Sequence, residues 1–154
     1  MCRRKLEHRF DLEDEEMKAF PVRIDVTLVR IPGPIMRDNK IHHIYTHKFT
    51  LEITDEYPYQ KPIVRWQSPI FHPNIMNPEE GGYVCTKLLD VWSFDSNLLA
   101  FIKGLESLIS NPNPASPYAS ARCMEAARYF YEHPYKPPEI VTTTRKLPKI
   151  IVSK

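Results

Sequence analysis

Val22-Arg23-Ile24-Asp25-Val26-Thr27-Leu28-Val29-Arg30-Ile31 is the stretch that decides the fold. Val22, Ile24, Val26 and Leu28 recur at every second position, with Arg23, Asp25 and Thr27 between them. A period of two places the apolar set on one face of an extended chain, so the segment reads as a half-buried β-strand. Pro32-Gly33-Pro34 is expected to end it in a turn. A second alternating run lies within Ile41 to Thr54, clearest from Tyr45 to Ile53, and Ile63, Val64 and Trp66 make a short third strand. Three strands with short links predict an antiparallel meander. Upstream, Leu6, Phe10, Met17 and Phe20 recur at roughly helical spacing, which predicts an amphipathic helix ending before Pro21. Its outer face carries Arg3, Arg4, Lys5 and Arg9 and then the acidic run Glu13 to Glu16; such runs ordinarily form a solvated face.

Downstream, Pro58, Pro62, Pro69 and Pro73 punctuate the stretch from Tyr57 to Asn77. Proline fixes φ and lacks a donor, so this is loop with short extended pieces. A loop of this length inside a compact domain is more often functional than idle. Leu98, Leu99, Phe101, Ile102, Leu105, Leu108 and Ile109 form the apolar stripe of a helix over Asp95 to Ser110, with Ser93 or Asp95 as its cap and Asn111-Pro112-Asn113-Pro114 as its stop. Ser116 or Ser120 is expected to cap a further helix running to about Glu132, which Pro134, Pro137 and Pro138 prevent from continuing. A short strand is expected at Lys149 to Val152. There are no internal repeats. The reading is one catalytic-sized core over residues 1–133 and a proline-rich basic extension over 134–154.

At 154 residues the chain is about one domain's worth, against a prior of ~150 residues per domain. Its 42% apolar and 26% charged residues predict a globular chain rather than a disordered one. A net charge of +2 is too balanced for a dedicated nucleic-acid binder. The apolar runs fall far short of the roughly 20 residues that span a bilayer. The chain opens on charged residues rather than on the order of a signal peptide, which argues against secretion. Cys2, Cys85 and Cys123 have no paired spacing; they argue for a reducing, cytoplasmic setting and against a disulfide framework. Only four glycines occur, and nothing resembles a phosphate-cradling loop, so no nucleotide or other cofactor is expected. An activated substrate would have to arrive already activated. His42, His43 and His47 cluster, but strand neighbours point to opposite faces and no cysteine or carboxylate joins them, so no metal site is expected.

Cys85 is the residue to explain. It follows Gly81-Gly82-Tyr83-Val84 at the end of the long loop. His72-Pro73-Asn74 stands before it and Trp92-Ser93 after it, and the apolar helix and Asn111-Pro112-Asn113-Pro114 follow. With Tyr57-Pro58-Tyr59-Gln60-Lys61-Pro62, these motifs, in this order around a cysteine, resemble the ubiquitin-conjugating enzymes. The resemblance runs from about Val22 to Tyr129. It implies an α+β fold: an N-terminal helix, a four-stranded antiparallel meander sheet and helices packed on one face. The fourth strand would be the short piece after His72-Pro73-Asn74.

The resemblance also implies the chemistry. Such an enzyme is a transferase that accepts ubiquitin or a ubiquitin-like protein from an activating enzyme as a cysteine thioester. It passes the modifier to a substrate lysine, usually with a RING-type ligase. Cys85 falls at the catalytic cysteine. Asn74 matches an asparagine whose amide either donates to the oxyanion or braces the loop around it, and a well-aimed donor is worth roughly 3–4 kcal/mol of barrier. His72 matches a histidine that holds the loop rather than acting as a base. Many members carry an acid where Ser116 stands, and a serine offers no charge to lower the incoming lysine's pKa. Phosphorylation could restore charge there, and Asp90 and Asp95 are substitute acids. Lysine transfer is then expected to be slow until a ligase closes the site.

Other positions depart from the family pattern too. The spacer Ile75 to Val84 is long and contains Pro78-Glu79-Glu80; Thr86-Lys87 follows the cysteine, and Phe94 stands where proline is usual. The family's partner surfaces map the ligase edge to Tyr59 and Phe94 and the activating-enzyme face to Arg3, Arg4 and Lys5. Cys123, Tyr118 and Trp92 read as packing residues. The competing readings are a catalytically inactive variant or RWD-type interaction module, against which the retained Cys85 and Asn74 count, and an unrelated cysteine hydrolase, which lacks a base outside the loop-bracing context of His72.

Overall fold

The computed structural model describes residues 20–86 and 97–139, and the backbone of 149–153. The expected N-terminal helix, with Cys2, Arg3, Arg4 and Lys5, lies outside the described residues, as do Asp90, Trp92, Ser93, Phe94 and Asp95.

A four-stranded sheet carries the fold, in the order β3-β2-β1-β4. Strand β1 is Val22–Arg37, β2 is Lys40–Ile53 and β3 is Ile63–Trp66. All three pair antiparallel, with Phe49 opposite both Val26 and Trp66 and Leu51 opposite both Ile24 and Val64. The alternation read from the sequence is the buried face: Val26, Leu28, Phe49, Leu51, Val64 and Trp66 point into one core.

Two details of the sheet differ from expectation. Pro32-Gly33-Pro34 does not end β1. The strand continues to Arg37 and turns at Asp38-Asn39, where φ is 52° and 61°. Asp and Asn tolerate this left-handed geometry better than other side chains do, as a two-residue hairpin requires. The proline segment instead follows a bulge, with the register shifting between Val29 and Gly33 and Arg30 at φ 68°. Residues Ile31 to Ile35 are all buried. A Cβ on Gly33 would meet the His47 ring at 2.5 Å and Ile109 at 3.0 Å, so glycine is what lets the strand pass under the helix.

The fourth strand also lies elsewhere. The piece after His72-Pro73-Asn74 makes a single bridge, Ile75 to Val84. The chain between them folds back on itself in a 3-10 turn, Pro78–Glu80, and Asn77 C=O accepts from the N–H groups of both Glu80 and Gly82. A proline and a turn leave no extended run to pair. Strand β4, Lys149–Ser153, pairs antiparallel with Asp25 to Val29 of β1 instead.

Helix α1, Leu98–Ser110, packs against β1. It buries Phe101, Ile102, Leu105, Leu108 and Ile109, while Leu99 faces outward. Its cap is Asn97, whose side chain accepts from Ala100 N–H at 2.8 Å, rather than Ser93 or Asp95. Helix α2, Ala121–Glu132, is capped by Ser120 as expected. Ala126 and Phe130 of α2 close a second, smaller core on Phe71. Among the described residues, no helix is long and apolar enough to cross a membrane.

Candidate active site

The loop from Ile70 to Cys85 is held by its own side chains. Asn77 is buried, and its amide closes the first part: Oδ1 accepts from Ile70 N–H at 2.9 Å, and Nδ2 donates to Ile70 C=O at 2.7 Å. Phe71 N–H donates to Pro34 C=O at 2.9 Å, which ties the loop to the bulged part of β1. Beyond Asn74 the chain runs as a short two-stranded ribbon. Met76 N–H donates to Tyr83 C=O and Cys85 N–H donates to Asn74 C=O, each at 2.9 Å. Cys85 is therefore fixed opposite Asn74. Its thiol is free and half-buried.

The far side of the ribbon is locked to β3. Trp66 N–H donates to Gly82 C=O at 2.7 Å. Gly82 has φ 68°, and a Cβ there would lie 2.6 Å from the Trp66 carbonyl oxygen. Only glycine fits both the left-handed backbone and the close approach. Arg65 lies over the Tyr83 ring, 4.5 Å from its centroid.

His72 is buried with both ring nitrogens engaged. Nε2 lies 2.8 Å from Leu108 C=O, and Nδ1 accepts from Asn74 N–H at 3.0 Å. A carbonyl can only accept and an amide N–H can only donate, so the ring is neutral with its proton on Nε2. Burial pushes the pKa of His72 down to about 4, against which the hydrogen bond to Leu108 acts only in part. A ring so buried and so paired clips the loop to the end of α1 and has no free nitrogen for a proton transfer.

Asn74 is fully buried and joins the ribbon to the segment after α1. Its Nδ2 donates to Asn113 C=O at 3.1 Å and to Ser116 C=O at 3.0 Å. Its Oδ1 accepts from Asn113 N–H at 2.8 Å. Both amide protons are thus committed. Of the two arrangements open to this asparagine, the structure shows the bracing one. The Ser116 side chain is exposed, so the part of Ser116 that meets Asn74 is its carbonyl. Tyr118 N–H donates to Pro73 C=O at 3.0 Å, which brings the same segment alongside the loop a second time.

The structure thus brings Cys85, Asn74, His72 and Ser116 together. Tyr59 stands apart on the turn before β3, 77% exposed. Among the described residues, no three His, Cys, Asp or Glu side chains gather as metal ligands. His47 is buried and pairs with Ile31 C=O through Nε2 at 2.8 Å.

Glu80 contributes a contact that sequence reasoning missed. Its carboxylate accepts from Ser120 Oγ at 2.9 Å and from Arg122 N–H at 3.0 Å, capping α2 from outside the helix. A carboxylate there satisfies an orphan N–H and complements the positive end of the helix. The one sequence signal was the extra length of the spacer that carries Pro78-Glu79-Glu80. Under the ribbon, Cys123 is buried, with its Sγ 3.7 Å from Ile75 C=O, and burial raises its thiol pKa.

A family described as "Ubiquitin-conjugating enzyme" matches residues 3–132. The chain belongs to the ubiquitin-conjugating enzyme family. It is 43% identical over 89 residues to ubiquitin-conjugating enzyme E2 3 of Arabidopsis thaliana, covering 57% of this chain and 55% of that one. It is 37% identical over 90 residues to ubiquitin-conjugating enzyme E2 1 of Caenorhabditis elegans, covering 56% and 45%. Among solved structures, Ubc12 of S. cerevisiae matches at 34% identity and a TM-score of 0.48, over 56% of this chain and 44% of that one. The chain spans about half the length of the curated relatives it matches.

Proposed function

We propose that this member of the ubiquitin-conjugating family carries ubiquitin or a ubiquitin-like protein as a thioester on Cys85 and transfers it to a substrate lysine. The observation that carries the reading is the ribbon: a half-buried, free thiol pinned opposite Asn74, whose amide locks Asn113 and Ser116 beside it. The arrangement suits acyl transfer. A thioester lacks amide resonance, so an amine attacks its carbonyl carbon readily once the two are held together. The thiol needs access, which half-burial leaves it, and a fixed position, which the Asn74 carbonyl provides.

An activating enzyme that supplies the modifier and a RING-type ligase that completes the site belong to the same proposal. The exposed Tyr59 ring supports the ligase edge, since a solvent-facing aromatic suits an interface anchor. The division into a conjugating core to residue 133 and an extension beyond it is also proposed; the extension supplies β4, which adds to the β1 edge.

Thioester charging tests the reading. The protein is mixed with ATP, ubiquitin and a ubiquitin-activating enzyme and run on a non-reducing gel. A ubiquitin-sized shift that thiol reductant removes is expected. In Cys85→Ser the shift should be absent or become resistant to reductant. A labile adduct that persists in Cys85→Ser would overturn the assignment of the thiol. No adduct with ubiquitin or with several ubiquitin-like modifiers and their activators would leave a binding module.

A further inference from the structure

Cys85 rides on the ribbon, and a second stretch of chain, residues 113–122, follows that ribbon from its open end to its turn. Three ties join the two. At the open end, Asn74, the residue that faces Cys85, donates through Nδ2 to Asn113 C=O and Ser116 C=O. Beside it, Tyr118 N–H donates to Pro73 C=O at 3.0 Å. At the turn, the Glu80 carboxylate reaches across to the start of α2, where Oε1 accepts from Ser120 Oγ at 2.9 Å and Oε2 from Arg122 N–H at 3.0 Å.

The turn is a firm base for that reach. Glu80 N–H donates to Asn77 C=O at 2.9 Å and Gly81 N–H to Pro78 C=O at 3.0 Å. Asn77 is buried and tied twice to Ile70, and Gly82 C=O accepts from Trp66 N–H. Among the described residues, no other side chain of 77–82 hydrogen-bonds to α2. Capping alone does not account for the contact. Helix α2 already has a cap of its own in Ser120, whose Oγ accepts from Cys123 N–H. The carboxylate comes from 40 residues away and spends one oxygen on that cap's hydroxyl and the other on the next free N–H.

We propose that Glu80 is a positioning residue for transfer from Cys85: it holds the 113–122 stretch in register with the ribbon that carries the thiol. This rests on the thioester reading above. Glu80 acts through that stretch and takes no part in bond making. Asn74 fixes one end of the stretch and Glu80 the other, so loss of Glu80 leaves the stretch anchored at one end only. A displacement of about 1 Å in groups that frame an attack can cost about a hundredfold in rate. With the Asn74 and Tyr118 ties still in place, the expected loss is smaller, roughly tenfold.

The test separates the tie from the cap. Glu80→Ala removes both. Adding Ser120→Asp restores a cap from within the helix, because an N-cap carboxylate accepts from the same first-turn N–H groups, but it does not rejoin α2 to the ribbon. Glu80→Gln keeps the tie without the charge: its carbonyl accepts from Arg122 N–H and its NH2 donates to Ser120 Oγ. Each protein is loaded with ubiquitin by an activating enzyme and ATP, loading is stopped with EDTA, and free lysine is added. Loss of the adduct is followed on non-reducing gels, and urea unfolding of the same proteins reports the cap. Glu80→Ala/Ser120→Asp should recover most of the stability that Glu80→Ala loses and still discharge roughly tenfold more slowly than wild type. Glu80→Gln should discharge close to the wild-type rate.

Discharge that recovers together with stability in Glu80→Ala/Ser120→Asp overturns the proposal and leaves Glu80 a cap, with the thioester reading intact. Glu80→Gln discharging as slowly as Glu80→Ala overturns it too, since the charge and not the tie would then matter. If neither alanine protein folds, Glu80→Asp decides: it keeps the charge, is one methylene short of the tie, and overturns the proposal by discharging at the wild-type rate. A wild-type chain that takes no ubiquitin on Cys85 overturns both readings.

Discussion

A buried histidine that cannot accept a proton should make the protein acid-sensitive in a defined window, and His72 is that residue. Its pKa falls from the ordinary 6.5 to about 4 on folding, because the ring is fully buried. The sign follows from linkage. Above pH 6.5 neither state binds a proton at this ring, and stability is at its full value. Below 6.5 the unfolded chain takes up a proton that the folded chain refuses, so unfolding becomes easier as pH falls. The loss stops near pH 4, where the folded ring also protonates. The slope for one proton is about 1.4 kcal/mol per pH unit. Between 6.5 and about 4 it sums to about 3 kcal/mol, a large part of a typical domain's stability.

The assay is urea unfolding of wild type and His72→Gln at half-unit steps from pH 7.5 to 4.5. Glutamine does not titrate and retains an N–H for Leu108 C=O. The variant should be less stable at pH 7.5 by a constant offset, and the two stabilities should converge as pH falls below 6.5. His47, whose pKa burial also lowers, is present in both proteins and drops out of the difference. Parallel curves would falsify the account, since they would mean that His72 takes up its proton equally in both states. The same ring should be silent in catalysis: discharge of a loaded thioester should show no His72-dependent inflection between pH 6 and 8.

Three further outcomes follow from the geometry. Asn74→Ala leaves Asn113 N–H and two carbonyls without partners and should lower stability by about 2–3 kcal/mol, at roughly 1 kcal/mol per hydrogen bond; Asn74→Asp, which turns a carboxylate toward those carbonyls, should be worse at neutral pH, and urea unfolding ranks the two. Glu80→Ala removes the outside cap of α2 and should cost about 1–2 kcal/mol, with faster amide hydrogen exchange confined to the first turn of that helix. Gly82→Ala brings a Cβ within 2.6 Å of the Trp66 carbonyl oxygen in a left-handed backbone, which should cost about 2–4 kcal/mol; an unchanged melting temperature would mean the Trp66–Gly82 contact is not made.

How much of this was legible in the sequence depended on range. The strands and α1 carry local signals, a period of two around Val26 and a wide stripe around Leu105, and both appear where those signals lie. The same local reading stopped β1 too early. Proline and glycine at 32–34 have the composition of a turn, but Gly33 serves as a passage beneath His47 and Ile109, which only the packed structure reveals. Strand β4 reads locally as a strand, yet its pairing with β1 is a contact across most of the chain. In the site, the order of motifs around Cys85 was sufficient to gather Asn74, His72 and Ser116. Asn77 and Glu80 escaped because nothing near them in sequence names their partners; Glu80 meets Ser120 across 40 residues.

The position held by Ser116 shows how bracing and chemistry divide in this site. Its carbonyl belongs to the scaffold: with Asn113, it takes the Asn74 amide protons that fix the loop opposite Cys85. Its side chain belongs to solvent. A change of side chain at 116 therefore leaves the brace intact, and charge can be added or withheld there without loosening the framework. Asn74 has no such freedom, because each of its three hydrogen bonds holds a backbone group. An amide cannot satisfy two carbonyls and an oxyanion with the same two protons. On the thioester reading, Asn74 serves an oxyanion at Cys85 only if one of these bonds opens, so bracing and donation exclude one another at any instant.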